Sequence, residues 1–513
     1  MTSLHTEPHP ALRHVASTST TTTTPISPFP GERIEAVPVS TVLDTITAVV
    51  HAREAQANWS HTTLAHRAEI LNRYHDLVLE RQDLLLDVIQ RETGKARGHA
   101  MEEIFHVAMI ARFYATDGRA ALKHDSRAGA IPVFTDVEVH HQPKGVVGII
   151  SPWNYPFSLA ICDALPAVMA GNAVVLKPDL QTLWSALHAV DLLVEAGLPE
   201  GVVTVVVGDG PDIGGALIDE VDYVCFTGST ATGRRVAAQV ASRLIGMSLE
   251  LGGKNPMIVC ADANLEKFLD IAVRSCFTSA GQLCVSTERM FVAREIYPQF
   301  LAALVERTRS LTLGASLGWG YDVGSLTTAA HAGRVQAAIA RAIEEGAKVV
   351  TGGTLRTDIG PLVFEPTVLT GVSPTMSVAV DEVFGPCVVV TPFDSVDEAI
   401  SMANDSEYGL SASVITSDLV LGSRIAEQIR CGSVNVNESY AAAFGSVSSP
   451  MGGMGQSGYG RRHGAEGILR FTEPQTIAIQ RGLTISPHFG RTDSQWAGIM
   501  TKALNLMKKL WIR

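Results

Sequence analysis

Cysteine is sparse and unpatterned in this sequence. Its 513 residues include seven cysteines, at positions 162, 225, 260, 276, 284, 387 and 431, and no Cys-x-x-Cys pair. That excludes a disulfide framework and points to reduced thiols in a reducing, cytoplasmic setting, most of them acting as small buried hydrophobes. Long hydrophobic runs are missing too: no stretch approaches the ~20 apolar residues that a membrane span requires. Positive charge is in deficit. Lys and Arg number 40 against 52 Asp and Glu, a net charge of −12, which argues against nucleic acid as a partner. The 16 histidines show no ligand spacing with cysteines or carboxylates, so no metal is expected; His140-His141 reads as a solvated hairpin pair. No internal repeat is visible.

What is present is the composition of a soluble globular protein, 46% apolar and 18% charged, with length for roughly two to four domains. Residues 1–32, rich in Thr, Ser and Pro, lack the apolar surface for a core and are expected to form a disordered tail. A transit peptide is the competing reading, against which stand a single arginine, Arg13, and no lysine. Helical periodicity follows over 41–59 and 65–94. From residue 137, short apolar runs bounded by Gly and Pro alternate with helix-length segments. One series covers 146–150, 173–176, 202–207 and 223–226; a second covers 257–259, 289–292, 348–350, 388–390, 412–416 and 434–436. Continuous β-branched runs between helices predict parallel sheets covered on both faces, and two series predict two α/β domains. Residues 135–142 alternate like one arm of a β-hairpin, and 475–480 read as a last strand. Residues 496–513 are apolar with Lys502, Lys508, Lys509 and Arg513. They read as a terminal helix docked on the body or, alternatively, as a basic amphipathic helix touching an anionic membrane surface.

Three segments carry chemistry by residue type. Phe226-Thr227-Gly228-Ser229-Thr230-Ala231-Thr232-Gly233 follows an apolar run and opens a helix. Small residues there let backbone N–H groups approach a phosphate, and the helix dipole favours the anion, though a plain tight turn has the same look. Glu250 sits within Met247-Ser248-Leu249-Glu250-Leu251-Gly252-Gly253-Lys254. A surface position is the ordinary alternative, whereas burial beside Leu249 and Leu251 would raise its pKa toward that of a general base. Gly281-Gln282-Leu283-Cys284-Val285 leads through a glycine and a polar amide into a cysteine, as an exposed turn would, although a lone thiol is ordinarily buried and inert.

Together these segments resemble the aldehyde dehydrogenase superfamily over about residues 33–482. Ser151-Pro152-Trp153-Asn154-Tyr155-Pro156, Leu176-Lys177-Pro178, Glu382-Val383-Phe384-Gly385-Pro386 and Pro450-Met451-Gly452-Gly453 complete the set in the family's order. The resemblance is greatest to the bacterial succinate-semialdehyde dehydrogenase (NADP+) subgroup. It implies an aldehyde dehydrogenase-like α/β fold: two Rossmann-like domains with a β-hairpin oligomerisation arm. Residues 33–124 and 144–251 would bind the dinucleotide and 252–450 would form the catalytic domain. Residues 125–143 and 451–484 would make the arm and an anchor loop, with 485–513 a C-terminal extension, in a homodimer or homotetramer. It implies Cys284 as nucleophile, Asn154 as oxyanion donor and Glu250 as the base that activates water. For the cofactor it implies Pro152, Trp153, Lys177, Gly228, Ser229, Glu382 and Phe384. Many NAD-preferring relatives carry Glu three positions after this Lys; Leu180 stands here, which favours NADP and leaves NAD open. The second cysteine of redox-switching relatives is replaced by Ser286.

Two arginines that hold the substrate carboxylate in well-known succinate-semialdehyde enzymes are replaced here by Cys162 and Thr278. A carboxylate would then need other donors, such as Ser446, Ser448 or Ser449. The alternative is an apolar tunnel for medium-chain or aromatic aldehydes, lined by Phe157, Phe444 and Phe277.

Overall fold

The computed structural model describes residues 9–511. Four helices open the main body. Val42–Trp59 starts at a Thr41 capping box with Asp44. The periodic stretch that follows is two helices, Leu64–Glu80 and Gln82–Thr93, parted at Arg81 and closed by Gly94. Gly94 takes φ +76°, and a Cβ there would fall 2.0 Å from Ser325 Oγ, so only glycine ends the helix in this way. Arg97–Ala115 completes the group.

The first sheet has six strands in the order Gly458–Tyr459, Gly246–Glu250, Tyr223–Thr227, Val146–Ile150, Ala173–Lys177 and Val203–Val205. All pairs are parallel except the first. Buried Val146, Val147, Val174, Val175, Leu176 and Val224 explain the continuous apolar runs: helices cover both faces. The second sheet has seven strands, Lys348–Thr351, Thr367–Thr370, Cys387–Phe393, Thr287–Ala293, Asn255–Val259, Ser411–Ile415 and Ser433–Val436, parallel but for the first pair. The third is the arm: Thr472–Gln480, Thr135–Pro143 and Asp125–Arg127, all antiparallel.

Three expectations are corrected. Residues 9–32 are not a disordered tail. Residues Pro10–His14 form a 3-10 helix with Ala11 and His14 buried, Ala16 N–H donates to Val205 O at 2.8 Å, and Thr22–Thr23 pairs with Val37–Pro38. The tail lies along a sheet edge and adds Ala11 and Phe29 to the buried surface, contacts with the rest of the chain that composition does not register. Its first eight residues lie outside the described ones. Residues 458–459, assigned to the arm and anchor loop, form an edge strand of the first sheet. The C-terminal helix Asp493–Leu510 fully buries only Trp496, whose Nε1 donates to Ile485 O at 2.7 Å in the segment just before it, with Ile499, Met500, Ala503 and Met507 half-buried, so it is lightly docked; residues 512–513 lie outside the described ones.

Candidate active site

Cys284 sits on a strained turn. After the helix Leu265–Phe277, Ser279 and Ala280 take φ of 54° and 53°, and Gly281 follows at +70°. Two non-glycine residues in the left-handed region cost free energy that the surroundings must offset. At Gly281 a Cβ would lie 2.0 Å from Gly385 O, so this turn is pressed against the loop that carries Phe384. Gln282 is locked inside: its Nε2 donates to Ser279 O at 3.0 Å and its Oε1 accepts from Thr327 N–H at 3.0 Å. Asn255 holds the next residues, its Nδ2 donating to Cys284 O at 2.7 Å and to Ser286 O at 2.8 Å. Ser286 donates to the carbonyls that end the preceding helix, both at 3.1 Å, a structural role for the residue that replaces a second thiol.

Asn154 is buried, with Nδ2 donating to Gln282 O at 3.0 Å, which aims the amide at the nucleophile turn and leaves its second N–H available. Its own carbonyl accepts from Lys95 Nζ at 2.6 Å, and Lys95 pairs with Glu103 at 2.7 Å under the Tyr155 ring. Glu250 ends its strand buried, and its Oε1 has no partner among the described residues. Burial pushes its carboxyl up to about 7 against the opposing pull of Arg462. Cys284 is half-buried; burial first, then the fields of Glu250 and Glu382, push its thiol up to about 12.

Cys284, Glu250 and Asn154 line one cleft of about 330 Å³ together with Pro152, Trp153, Gly228, Ser229, Glu382 and Phe384. A larger cavity, about 550 Å³, beyond Arg289 offers no thiol; chemistry, not size, marks the site. Ser229 caps the helix Thr230–Ser242, so that helix points its N-terminus, with its unpaired N–H groups, at the cleft. Lys177 ends the Ala173–Lys177 strand, buried, with Nζ on Pro178 O at 3.3 Å. Glu382 accepts from Gly253 N–H at 2.8 Å, and burial raises its carboxyl to about 8. Phe384 meets Trp153 edge-on at 5.7 Å.

The substrate residues fare differently. Phe444 is half-buried and stacks on His106 at 4.1 Å between ring centroids. Phe157 is a correction: it is fully buried in the core and lines no part of the cleft, while Leu159 from the same helix does. Thr278 lies outside the cleft. It lines a separate cavity of about 370 Å³ with His99, Phe277 and Arg274, and its hydroxyl donates to Arg274 O at 2.8 Å. Ser446 is exposed, and its hydroxyl donates to Ala442 O.

Sequence reasoning missed the supports. Glu288 accepts from Val383 and Phe384 N–H at 2.9 and 2.8 Å and from Lys254 Nζ at 2.5 Å, fixing the loop that presents Glu382 and Phe384. The available signal was a carboxylate, Glu288, inside an otherwise buried strand. His331, also on the cleft, donates from Nε2 to Phe384 O at 2.8 Å; nothing in its sequence surroundings marks it.

The aldehyde dehydrogenase family profile matches residues 14–477. The chain belongs to that family. A protein of Mycolicibacterium smegmatis that carries the name "Putative succinate-semialdehyde dehydrogenase (NADP+)" is 48% identical over 94% of this chain and 93% of that one. Betaine aldehyde dehydrogenase from Staphylococcus aureus, solved with NAD+, superposes with a TM-score of 0.87 at 31% identity, covering 93% of this chain and 95% of that one. An E. coli NADP-dependent enzyme superposes at 0.86 and 34% identity, covering 90% and 95%. This aldehyde dehydrogenase is therefore an NAD(P)-dependent oxidoreductase that converts an aldehyde to a carboxylic acid. Among the described residues no helix is long and apolar enough to cross a membrane.

Proposed function

We propose that the chain oxidises succinate semialdehyde to succinate with NADP, with NAD as a second cofactor, and that Cys284, Glu250 and Asn154 carry the chemistry. The observation that supports the chemical assignment most is the convergence of a thiol, a partnerless buried carboxylate and an amide on one cleft. The residues fit a dinucleotide: an open helix N-terminus for phosphate, Lys177 for the ribose, and the Trp153–Phe384 pair beside the thiol. A nicotinamide held there would supply the hydride acceptor. Leu180 puts no carboxylate at the ribose position. That absence favours tolerance of a 2′-phosphate.

Cys284 sulfur forms a bond to the aldehyde carbon, and the carbonyl oxygen becomes an oxyanion facing Asn154 Nδ2. The thiol proton needs a receiver, and Glu250, near neutrality, is the group in the cleft able to take it. Loss of hydride leaves a thioester on Cys284. After hydride loss Glu250 passes that first proton to solvent; water then attacks the thioester carbon as Glu250 accepts its proton, and this proton goes to the departing Cys284 sulfur, releasing the acid and restoring the thiol.

That sequence makes a pH prediction. A base raised to about 7 by burial is protonated and idle below that value and active above it, so kcat rises with pH through an inflection near 7. Glu250→Gln flattens that rise and lowers kcat about 10²–10⁴-fold, and it slows the first release of reduced cofactor as well, since the thiol loses its proton receiver. A pH–rate profile with the same inflection in the variant would overturn the assignment.

For the substrate carboxylate we propose Arg274, near the position of one of the two missing arginines, a reading that requires the cavity it lines to open onto the cleft of Cys284. Arg274 lies one helical turn before Thr278 on the same cavity, is exposed, and forms no salt bridge among the described residues. Succinate semialdehyde with NADP is expected to give a kcat/KM well above that for hexanal or benzaldehyde. Arg274→Ala should raise its KM about tenfold and leave hexanal unchanged. A preference for hexanal in the wild type, measured at 340 nm, would replace this reading with a broad apolar-aldehyde one, to which Leu159 and Phe444 are suited.

We further propose a cytoplasmic homodimer or homotetramer. The seven cysteines are free, as a reducing compartment keeps them. The Thr472–Gln480 strand presents an unpaired edge exposed along nearly its whole length, with Ile477 and Ile479 in the open, and such an edge calls for a partner strand.

A further inference from the structure

The arm gathers three ligand-type side chains that the sequence keeps apart. Asp125 pairs with Val139 and Ser126 with Glu138 in the antiparallel register. Continuing that register by one residue sets His124 opposite His140. Side chains two apart on a strand share a face, so Glu138 and His140 project with His124 on one side of the hairpin. The packing shows it: the His124 and His140 rings stack at 3.5 Å, and Glu138 Oε2 lies 3.1 Å from His140 Nε2. One ligating atom from each of the three lies within 4.8 Å of the others. His141 belongs to the opposite side, where its Nδ1 approaches Thr472 Oγ1 at 3.5 Å.

From this geometry we propose that His124, Glu138 and His140 form a binding site for a divalent late transition metal, with zinc as the best match. Two imidazoles and one carboxylate suit zinc, copper or nickel better than the oxygen-seeking magnesium or calcium. Tetrahedral binding at about 2.1 Å places ligand atoms roughly 3.4 Å apart, so binding from within 4.8 Å requires the two stacked rings to unstack and turn a nitrogen of each toward the ion. Glu138 and His124 are exposed, which gives the ion an entry path and leaves its remaining positions to water. The ion would join the Asp125–Arg127 strand, paired to its neighbour over only three residues, to the Thr135–Pro143 strand and fix the register of the arm. The site is separate from the cleft and does not rest on the assignment of substrate or cofactor.

The test uses the full chain carrying Cys284→Ala, so that the cleft thiol does not compete for zinc. Equilibrium dialysis with zinc chloride and elemental analysis should give one zinc per chain, and cobalt should give visible d–d absorption of a nitrogen–oxygen site. His124→Ala with His140→Ala should lose that zinc and that absorption, and Glu138→Gln should weaken binding about tenfold or more. Circular dichroism and the melting temperature without metal verify that the exposed substitutions leave the fold intact; should the double variant misfold, His140→Gln alone serves. Stoichiometric zinc that survives in a folded histidine variant, or no zinc above background in the parent at micromolar concentration, would overturn the proposal.

Discussion

Cys284→Ala is expected to remove aldehyde oxidation almost entirely, by roughly 10⁴-fold or more in kcat/KM, since no covalent intermediate can form without the sulfur. Binding of reduced or oxidised cofactor, followed by quenching of Trp fluorescence, should persist, because Trp153, Lys177, Ser229 and Glu382 are untouched. The six other thiols cannot substitute. All are buried, and those at 162, 225, 260, 387 and 431 are, like Cys284, pushed up to about 12, chiefly by burial. What distinguishes Cys284 is access to the cleft and a base beside it. Its raised thiol also predicts slow alkylation by iodoacetamide at pH 7 and faster alkylation as pH rises. Retention of more than about one per cent of activity in the alanine variant would break the link between this thiol and the reaction.

Asp163→Asn is expected to carry the largest cost in stability. Asp163 is 1% exposed and accepts from Arg462 at 2.9 and 2.8 Å and also from Arg470. Burial by itself would raise its carboxyl, but the two guanidinium groups outweigh that and hold it well below its ordinary 3.8. A group with a depressed folded-state value stabilises the fold above its unfolded value and loses that contribution only as pH falls toward the folded one. The contribution is thus intact from about pH 4 upward. Removing the charge leaves two buried arginines without a counter-charge, a loss of about 3–5 kcal/mol. The melting temperature should fall by about 3–5 °C. Arg462 also donates to Thr227 Oγ1 at 2.5 Å, at the strand end that opens the phosphate turn, so KM for the cofactor should rise as well. A melting temperature within 1–2 °C of the parent would show that the triad is energetically neutral.

Much of the fold is legible because its strands announce themselves. Val146-Val147-Gly148-Ile149-Ile150 and Val388-Val389-Val390 are apolar on both faces because both faces are covered. The strand Gly246–Glu250 gave no such signal. Gly246-Met247-Ser248-Leu249-Glu250 mixes polarity, and its stability comes from pairing with Tyr223–Thr227 and Gly458–Tyr459. The helix Arg97–Ala115 escaped notice for a related reason: Arg97, Glu103 and His106 look like surface residues and are buried through specific partners. At the site, the residue types that do chemistry stood out in their motifs. The residues that hold them did not, because Lys95, Asn255 and Glu288 act through backbone carbonyls and N–H groups that only the folded chain brings within reach. Phe157 shows another limit. Which side of a short helix faces the cleft depends on how Pro156–Ile161 docks, and the cleft side fell to Leu159. Likewise, His124 and His140 become neighbours only through strand register.

Glu250 is the last residue of a strand in one sheet, and Asn255, which holds the carbonyl of Cys284, is the first residue of a strand in the other. Only Leu251-Gly252-Gly253-Lys254 joins them, so base and nucleophile ride on opposite jaws of a vise whose pivot is four residues long. The pivot is pinned on one side, by Glu382 at Gly253 and by Glu288 at Lys254. Leu251 N–H is held as well, by Ser457 O at 2.9 Å, on the stretch 437–457 where the chain crosses back between the sheets, so the distance from base to sulfur is set by two crossings tied to each other.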